Sequence, residues 1–131
     1  MPETTDERII RALNAYPELS LVILFGSMAR GTETRDSDLD LAVQADRPLS
    51  VQQKMAMTES LALEFNHPVD LIDLRTVGQP LLSEIVAEGR RLRGQNEDWA
   101  QLIFKNIMDN EDFVPLQKRI LRERRAAWLN S

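Results

Sequence analysis

Residues 19–43 read LSLVILFGSMARGTETRDSDLDLAV, and the expected architecture follows from this stretch. Its first seven residues are almost all apolar and β-branched in the middle, which is typical of a strand buried on both faces. Gly26 and Ser27 break that strand and lead into a short helical turn within residues 28–35, followed by a loop. Residues 38–43 alternate polar and apolar at first, which is the period of a half-exposed strand.

Further helices and one more strand are predicted after and before this stretch. Thr4 and Ser50 are each followed three residues later by Glu or Gln, the capping-box pattern that marks a helix start. The predicted elements are a helix from Thr4 to before Pro17, a helix over residues 51–66, a strand over residues 69–74, and a helix with an apolar stripe of Leu81, Leu82, Ile85 and Val86 that Gly89 ends.

The C-terminal segment carries helical spacing and segregated charge. One apolar stripe comprises Trp99, Leu102, Ile103 and Ile107, and a second, with Pro115 in the first turn of a new helix, comprises Phe113, Leu116, Ile120 and Leu121. Residues 97–112 hold five acids and one lysine, whereas residues 118–125 hold five basic residues and one acid. Two solvated helical faces explain this charge, and a partner-docking surface is the alternative; RNA binding is the weakest option because aromatics are not interleaved.

Composition limits the possible chemistry. The chain has 131 residues, enough for one domain, and its 43% hydrophobic and 28% charged residues are ordinary for a globular protein. The absence of cysteine excludes disulfides, thiolate zinc sites and cysteine nucleophiles, and the single histidine, His67, excludes any device that needs two imidazoles. The net charge of −5 excludes a generally basic protein that coats nucleic acid.

No targeting or membrane segment is expected. The N-terminus is acidic and polar, and the longest apolar stretch, at residues 21–25, falls far short of the roughly 20 residues that span a bilayer. We therefore expect a cytoplasmic protein.

Gly26 and Ser27 form a candidate phosphate cradle. A glycine lets the backbone approach a ligand closely, a helix start offers free amides to anions, and the serine hydroxyl adds a donor. The cradle is not a Walker loop, because no Gly-Lys-Ser/Thr follows.

Asp38, Asp40 and Asp70 form a candidate metal site. In a strand, Asp38 and Asp40 share one face roughly 6.5 Å apart, and a divalent cation such as magnesium or manganese relieves their repulsion. Asp70 lies in an apolar strand where a carboxylate calls for a partner; if that strand pairs beside residues 38–43, Asp70 completes a site for two metals. We expect Asp36 and Asp73 to be structural or solvent-facing, and His67 to cap a helix end.

Together, GSMARGTETRDSDLDLAV at residues 26–43 and VDLIDL at residues 69–74 resemble the nucleotidyltransferase superfamily that includes DNA polymerase beta and kanamycin nucleotidyltransferase. The likeness is strongest to minimal nucleotidyltransferase (MNT) proteins, often the antitoxins of HEPN/MNT toxin–antitoxin pairs, and covers about residues 5–94. It implies an α/β (α+β) fold: a small mixed β-sheet flanked by helices. We expect residues 1–131 to form one nucleotidyltransferase domain with a C-terminal helical extension at about 97–129.

The resemblance also implies a role for each motif residue. The implied triphosphate-binding residues are Gly26 and Ser27, with Arg30 and Gly31 matching the Ala-Arg-Gly run of the family. Asp38 and Asp40 are implied to ligate two Mg²⁺ ions, which Mn²⁺ can replace. Asp70, the third carboxylate of the metal site, is implied to align, and to deprotonate, the attacking hydroxyl.

The function implied by the resemblance is transfer of AMP from ATP to a tyrosine of a HEPN ribonuclease toxin, which is thereby neutralised in a hetero-oligomeric complex. Residues 95–131 are too few for the second domain that completes an acceptor pocket in aminoglycoside-modifying relatives. The acidic balance argues against a nucleic-acid acceptor and suits a basic, RNA-cleaving partner. Two alternatives stay open: a small-molecule nucleotidyltransferase acting as a dimer, and an antitoxin that acts by binding alone.

Overall fold

A computed structural model describes residues 2–110 and 122. Its elements are α1 (Thr5–Ala12), a 3₁₀ turn (Leu13–Ala15), β1 (Leu21–Phe25), α2 (Ser27–Arg30), β2 (Leu39–Gln44), α3 (Val51–Phe65), β3 (Val69–Asp73), α4 (Leu81–Glu88) and β4 (Arg90–Arg93). A further helix, α5, is described over residues 96–110. The helix predicted from Pro115 and the basic stretch at 118–125 lie outside the described residues, apart from Arg122, which is helical and exposed.

Both predicted capping sites are confirmed by their hydrogen bonds. The Thr4 hydroxyl accepts from the backbone N–H of Glu7 at 3.1 Å. At the start of α3 the box is reciprocal, because Ser50 Oγ accepts from Gln53 N at 3.1 Å and Gln53 Oε1 accepts from Ser50 N at 2.9 Å. The sequence therefore sets where both helices begin.

The four strands form one mixed sheet in the order β3-β2-β1-β4. β1 pairs antiparallel with β2 and β4, whereas β2 and β3 run parallel and are connected through α3. This confirms the α+β architecture with a mixed sheet. β4 was not predicted, because its sequence RRLR holds one apolar residue and shows no strand periodicity.

Helices cover both faces of the sheet. Along β1, Val22 and Leu24 pack with α1 and α3, whereas Leu21, Ile23 and Phe25 pack with α4 and α5. All five residues are buried, as predicted. Among the described residues, no helix is long and apolar enough to cross a membrane.

The strand predicted at residues 38–43 is confirmed as β2, but the expectation that it is half-exposed is wrong. Ala42, which alternation assigned to solvent, is fully buried because α4 and α5 cover its face of the sheet, while Leu41 and Val43 pack with α1 and α3 on the other face. Within β2 only Asp40 and Gln44 are partly exposed, and Asp38 lies one residue before the strand. The uncovered end of this strand is where the polar motif lies.

Candidate active site

The register of the sheet brings the predicted residues to one end. Phe25, the last residue of β1, lies opposite Asp40 near the start of β2, and Asp40 lies beside Asp70 in β3. Since side chains alternate along a strand, Asp40 shares the face of Ala42, which is covered by α4 and α5. The conditional prediction that the strand of Asp70 pairs beside that of Asp40 is confirmed.

Gly26 follows β1 and touches Asp40. Its φ of +75° and ψ of −158° lie in a region that only glycine adopts readily. A Cβ built on Gly26 would overlap Oδ2 of Asp40. The glycine is therefore required twice, by the backbone turn into α2 and by the carboxylate that occupies the place of a side chain.

Ser27 begins α2 and is half-buried. Gly26 is the N-cap of this one-turn helix, with no side-chain capping bond, and the first amides of a helix have no partner within it. Donors and the Ser27 hydroxyl thus lie next to the residue that contacts Asp40. This placement agrees with the predicted phosphate cradle.

Asp40 has a perturbed protonation equilibrium. Burial, followed by the negative charges of Asp70, Asp38 and Glu84, raises the pKa of Asp40 from 3.8 to about 6, while the positive charge of Arg30 lowers it. Burial and neighbouring negative charges disfavour the charged carboxylate, whereas a positive charge nearby favours it. The carboxylates are therefore close enough to repel one another. We call this end of the sheet, with Gly26, Asp38, Asp40 and Asp70, the acidic corner; positive charge there relieves the repulsion.

Asp38 and Asp70 are both exposed. Asp70 lies in the predicted strand, but β3 is an edge strand and Asp70 is near its exposed end, so its carboxylate is not buried. His67 does not cap α3, which ends at Asn66 in the left-handed region with φ 53°. Instead Nδ1 of His67 lies 3.1 Å from the carbonyl oxygen of Ser37, so it fixes the backbone immediately before Asp38.

Arg30 and Gly31 end α2. The Arg30 Nη1 donates to Oε2 of Glu88 at 2.8 Å. Gly31 has φ 74°, its N–H bonds the carbonyl oxygen of Ser27, and nothing lies within 4 Å of a Cβ built on it. Arg30 is thus near the acidic corner, whereas the structure shows Gly31 as the residue that turns the chain out of α2.

Two acids of α4 at this corner were not singled out from the sequence. Glu84 contributes to the raised pKa of Asp40, and Glu88 pairs with Arg30. Their spacing of four residues opposite the apolar stripe of α4 indicates a shared polar face. Only the packing of α4 on the sheet brings this face close to Asp40 and Arg30.

Asp36 and Asp73 do not belong to the corner. Asp36 is exposed in the loop before β2, and Asp73 is buried at the other end of β3. The carboxylate of Asp73 accepts from Leu49 N and from Arg75 N, both at 2.8 Å. The prediction that Asp73 is structural agrees with these bonds, although its side chain does not face solvent.

The profile of the Polbeta family, described as polymerase beta, nucleotidyltransferase, matches residues 7–98. The chain belongs to this nucleotidyltransferase family. The protein adenylyltransferase MntA of Shewanella oneidensis is 35% identical to this nucleotidyltransferase over 108 residues, 82% of this chain and 78% of the relative.

Solved structures match most of the chain of this nucleotidyltransferase. A crystal structure of a toxin–antitoxin with AMP-PNP matches with a TM-score of 0.82 at 30% identity, covering 92% of this chain and 98% of that chain. A structure of a tri-AMPylated Shewanella oneidensis HEPN toxin in complex with an MNT antitoxin matches with a TM-score of 0.74 at 28% identity, covering 90% and 93%. The predicted nucleotidyltransferase fold is confirmed.

The side chains of the acidic corner are of the kind that bind divalent cations. Within residues 2–110 and 122, no three acidic or histidine side chains are arranged to hold a metal ion by themselves. Magnesium usually takes one or two protein carboxylates and completes its shell with water and substrate phosphates. Asp38 and Asp40, with Asp70 beside them, supply hard oxygen donors whose mutual repulsion a cation relieves.

Proposed function

We propose that this nucleotidyltransferase is a magnesium-dependent protein adenylyltransferase. Its acceptor is a tyrosine of a cognate HEPN ribonuclease toxin, and AMP transfer neutralises that toxin. Support comes from the family, from the acidic corner beside Gly26, and from relatives that are named as an adenylyltransferase and as toxin–antitoxin complexes. The acidic chain, with a net charge of −5, suits a basic RNA-cleaving partner.

One observation favours a macromolecular acceptor over a small molecule. Asp70 lies exposed on the edge strand β3 next to Asp40, and Asp38 is exposed immediately before β2. We place the nucleotide around Gly26 and Asp40, and the described residues leave the acidic edge beside them open. A hydroxyl carried by another protein can reach that edge directly.

The reaction is a displacement at the α-phosphorus of ATP. The acceptor oxygen forms a bond to this phosphorus, the bond from it to the oxygen bridging to the β-phosphate breaks, and pyrophosphate leaves. The acceptor proton passes to the carboxylate of Asp70. Bound divalent cations supply Lewis acidity, which lowers the pKa of the acceptor hydroxyl and stabilises the pyrophosphate.

Each residue of the acidic corner has a separate role in binding the nucleotide, the metal ions or the acceptor. Gly26, whose missing side chain leaves room for the Asp40 carboxylate, turns the backbone so that the first amides of α2 face the triphosphate. The Ser27 hydroxyl and these amides donate to its oxygens, and Arg30 adds positive charge. Asp38 and Asp40 would hold the magnesium ions, with Asp70 as a third ligand that would also orient the acceptor hydroxyl. Gly31 contributes by ending α2 so that Arg30 stays at the rim.

We assign the reaction to the cytoplasm, where ATP and an RNA-cleaving partner occur together. Residues 1–131 act as one nucleotidyltransferase domain with a C-terminal helical extension, and the toxin and this protein form a hetero-oligomer. No nucleic acid binds this chain directly, because the acidic balance opposes the phosphate contacts that dominate such binding.

The test is an AMP-transfer assay with the product of the neighbouring gene. Purified protein, magnesium, and ATP labelled on the α-phosphate are incubated with that product, and intact mass and peptide mapping locate the label. We expect one or more AMP units on a tyrosine of the partner, and no transfer when magnesium is chelated. Label on a small molecule favours the dimeric small-molecule enzyme instead. Neutralisation of the toxin with no AMP attached contradicts the proposal and favours binding alone.

A further inference from the structure

The Arg30–Glu88 pair links the phosphate side of the site to α4. Arg30 Nη1 lies 2.8 Å from Glu88 Oε2, and the two side chains are 45% and 41% exposed. This contact joins residues 58 positions apart, so it exists only through the packing of α4 on the sheet. Arg30 is also close enough to Asp40 that its positive charge lowers the pKa of that carboxyl.

Glu88 is held on a fixed element. α4 is anchored by Leu82 and Ile85, both fully buried. At its end, a Cβ on Gly89 would overlap the carbonyl oxygen of Ile85 and the Cγ2 of Ile23 in β1, so the helix terminus lies directly against the sheet. Because the backbone of Glu88 cannot shift freely, its side chain reaches the Arg30 guanidinium from a fixed point on the sheet.

The guanidinium of Arg30 retains donors for a second anion. It carries five N–H groups in a planar fork, and the hydrogen bond to Glu88 uses one from Nη1. Free arginine side chains hold about 2 kcal/mol of rotamer entropy, which is lost when a ligand fixes them. A partner that holds the side chain beforehand lowers this cost of binding.

We propose that Glu88 is a positioning residue, which holds the Arg30 guanidinium at the corner formed by Gly26 and Asp40 so that its remaining donors meet the triphosphate. This inference rests on the proposed nucleotide site but assigns a role to a residue of α4 that lies outside the sequence motif. Glu88 contacts Arg30 and does not contact the nucleotide. Its effect on binding therefore passes entirely through Arg30.

The test is a double-mutant cycle on binding of AMP-PNP with magnesium, measured by calorimetry. Arg30→Ala, Glu88→Gln and the double variant are compared with the wild type. Removing the charge of Glu88 weakens binding by about two- to fivefold, the range that an exposed ion pair supports. In the Arg30→Ala background the same substitution changes nothing, because the effects of coupled residues do not add.

Asp46→Asn is the matched control. Asp46 pairs with Arg47 at 4.0 Å, also at the surface, but at the end of β2 away from Gly26. This variant binds AMP-PNP like the wild type. In the transfer assay, Glu88→Gln raises the KM for ATP and leaves kcat unchanged, a separation that a general loss of stability would not produce.

Three outcomes overturn the inference. Tighter binding by Glu88→Gln means that Glu88 restrains Arg30 rather than positioning it, and binding equal to Asp46→Asn means that it does neither. An equal loss with and without Arg30 means that Glu88 acts through α4 itself. The proposed function fails separately, when the wild type binds AMP-PNP but moves no AMP to the toxin; absence of any AMP-PNP binding overturns both.

Discussion

The two ends of the sheet place an aspartate in opposite surroundings. Asp73 ends β3, is 7% exposed, and its carboxylate accepts two backbone hydrogen bonds, from Leu49 and Arg75. Asp40 is near the start of β2, and none of the hydrogen bonds within the described part of the chain reaches its carboxylate. Burial and neighbouring acids raise the pKa of Asp40 to about 6.

This difference separates a stabilising carboxylate from a functional one. A buried acceptor that receives backbone N–H groups compensates for its desolvation and holds a turn together. A carboxylate surrounded by like charges costs stability until a cation or another positive group joins it. The Asp73 end therefore supports the fold, and the Asp40 end has the properties expected of the proposed nucleotide and metal site.

The largest effect is expected from removing the acids at the Asp40 end. Asp38→Ala combined with Asp40→Ala lowers AMP transfer about 10³-fold or more, the scale of losing preorganised charge stabilisation. The readout is the initial rate of label transfer to the toxin, together with the unfolding midpoint. Asp46→Ala, an exposed acid at the opposite end of β2, is the control and retains the wild-type rate. Full protection of cells by the double variant contradicts a catalytic site here.

Gly26→Ala tests whether the close approach of backbone and carboxylate matters. The new Cβ meets Asp40 Oδ2, and the φ of +75° is unfavourable for any side chain. We expect a loss of about 3 kcal/mol in the free energy of unfolding, the upper part of the range for such strain, together with loss of AMP-PNP binding. Gly31→Ala, also at positive φ but in open space, separates backbone strain from the clash. Equal losses in the two variants would mean that the contact with Asp40 adds nothing.

Asp73→Ala tests the opposite end. It leaves the N–H groups of Leu49 and Arg75 without their acceptor, so the free energy of unfolding falls by about 2 kcal/mol. Transfer per folded molecule stays at the wild-type rate, because Asp73 lies away from Gly26 and Asp40. Chemical denaturation measures the first quantity, and the rate at a temperature well below the unfolding midpoint measures the second. A specific loss of rate would place Asp73 in the site and remove the contrast.

Local signals were sufficient for the parts of the fold that local chemistry controls. Capping by Thr4 and Ser50, the glycine after β1 and the Asp-x-Asp spacing each express a constraint within a few residues, and each lies where the sequence indicates. The sequence also predicts that Asp70 lies beside Asp40 if their strands are neighbours, and the strands are neighbours. The sequence therefore predicts the carboxylates of the corner and the glycine beside them.

Tertiary contacts decided the remainder. β4 is arginine-rich and becomes a strand because it pairs with β1, while Arg93 donates to the carbonyl oxygens of Leu13 and Tyr16. The exposure of Asp70 depends on β3 being an edge strand, which its own residues do not reveal. In the same way, Glu88 meets Arg30 only because α4 packs across β1.

The smallest effect expected is a gain of stability from Asp40→Asn. The folded-state pKa of Asp40 is raised from 3.8 to about 6, so its charged form destabilises the fold above about pH 6, and this penalty disappears below the unfolded value. Because the side chain is partly exposed, the expected gain for Asp40→Asn at about pH 7.5 is only about 1 kcal/mol. Urea unfolding with a chelator present measures it, and the two proteins converge near pH 4. A less stable variant at pH 7.5 would mean that Asp40, like Asp73, is held by favourable contacts, and the contrast between the two ends would fail.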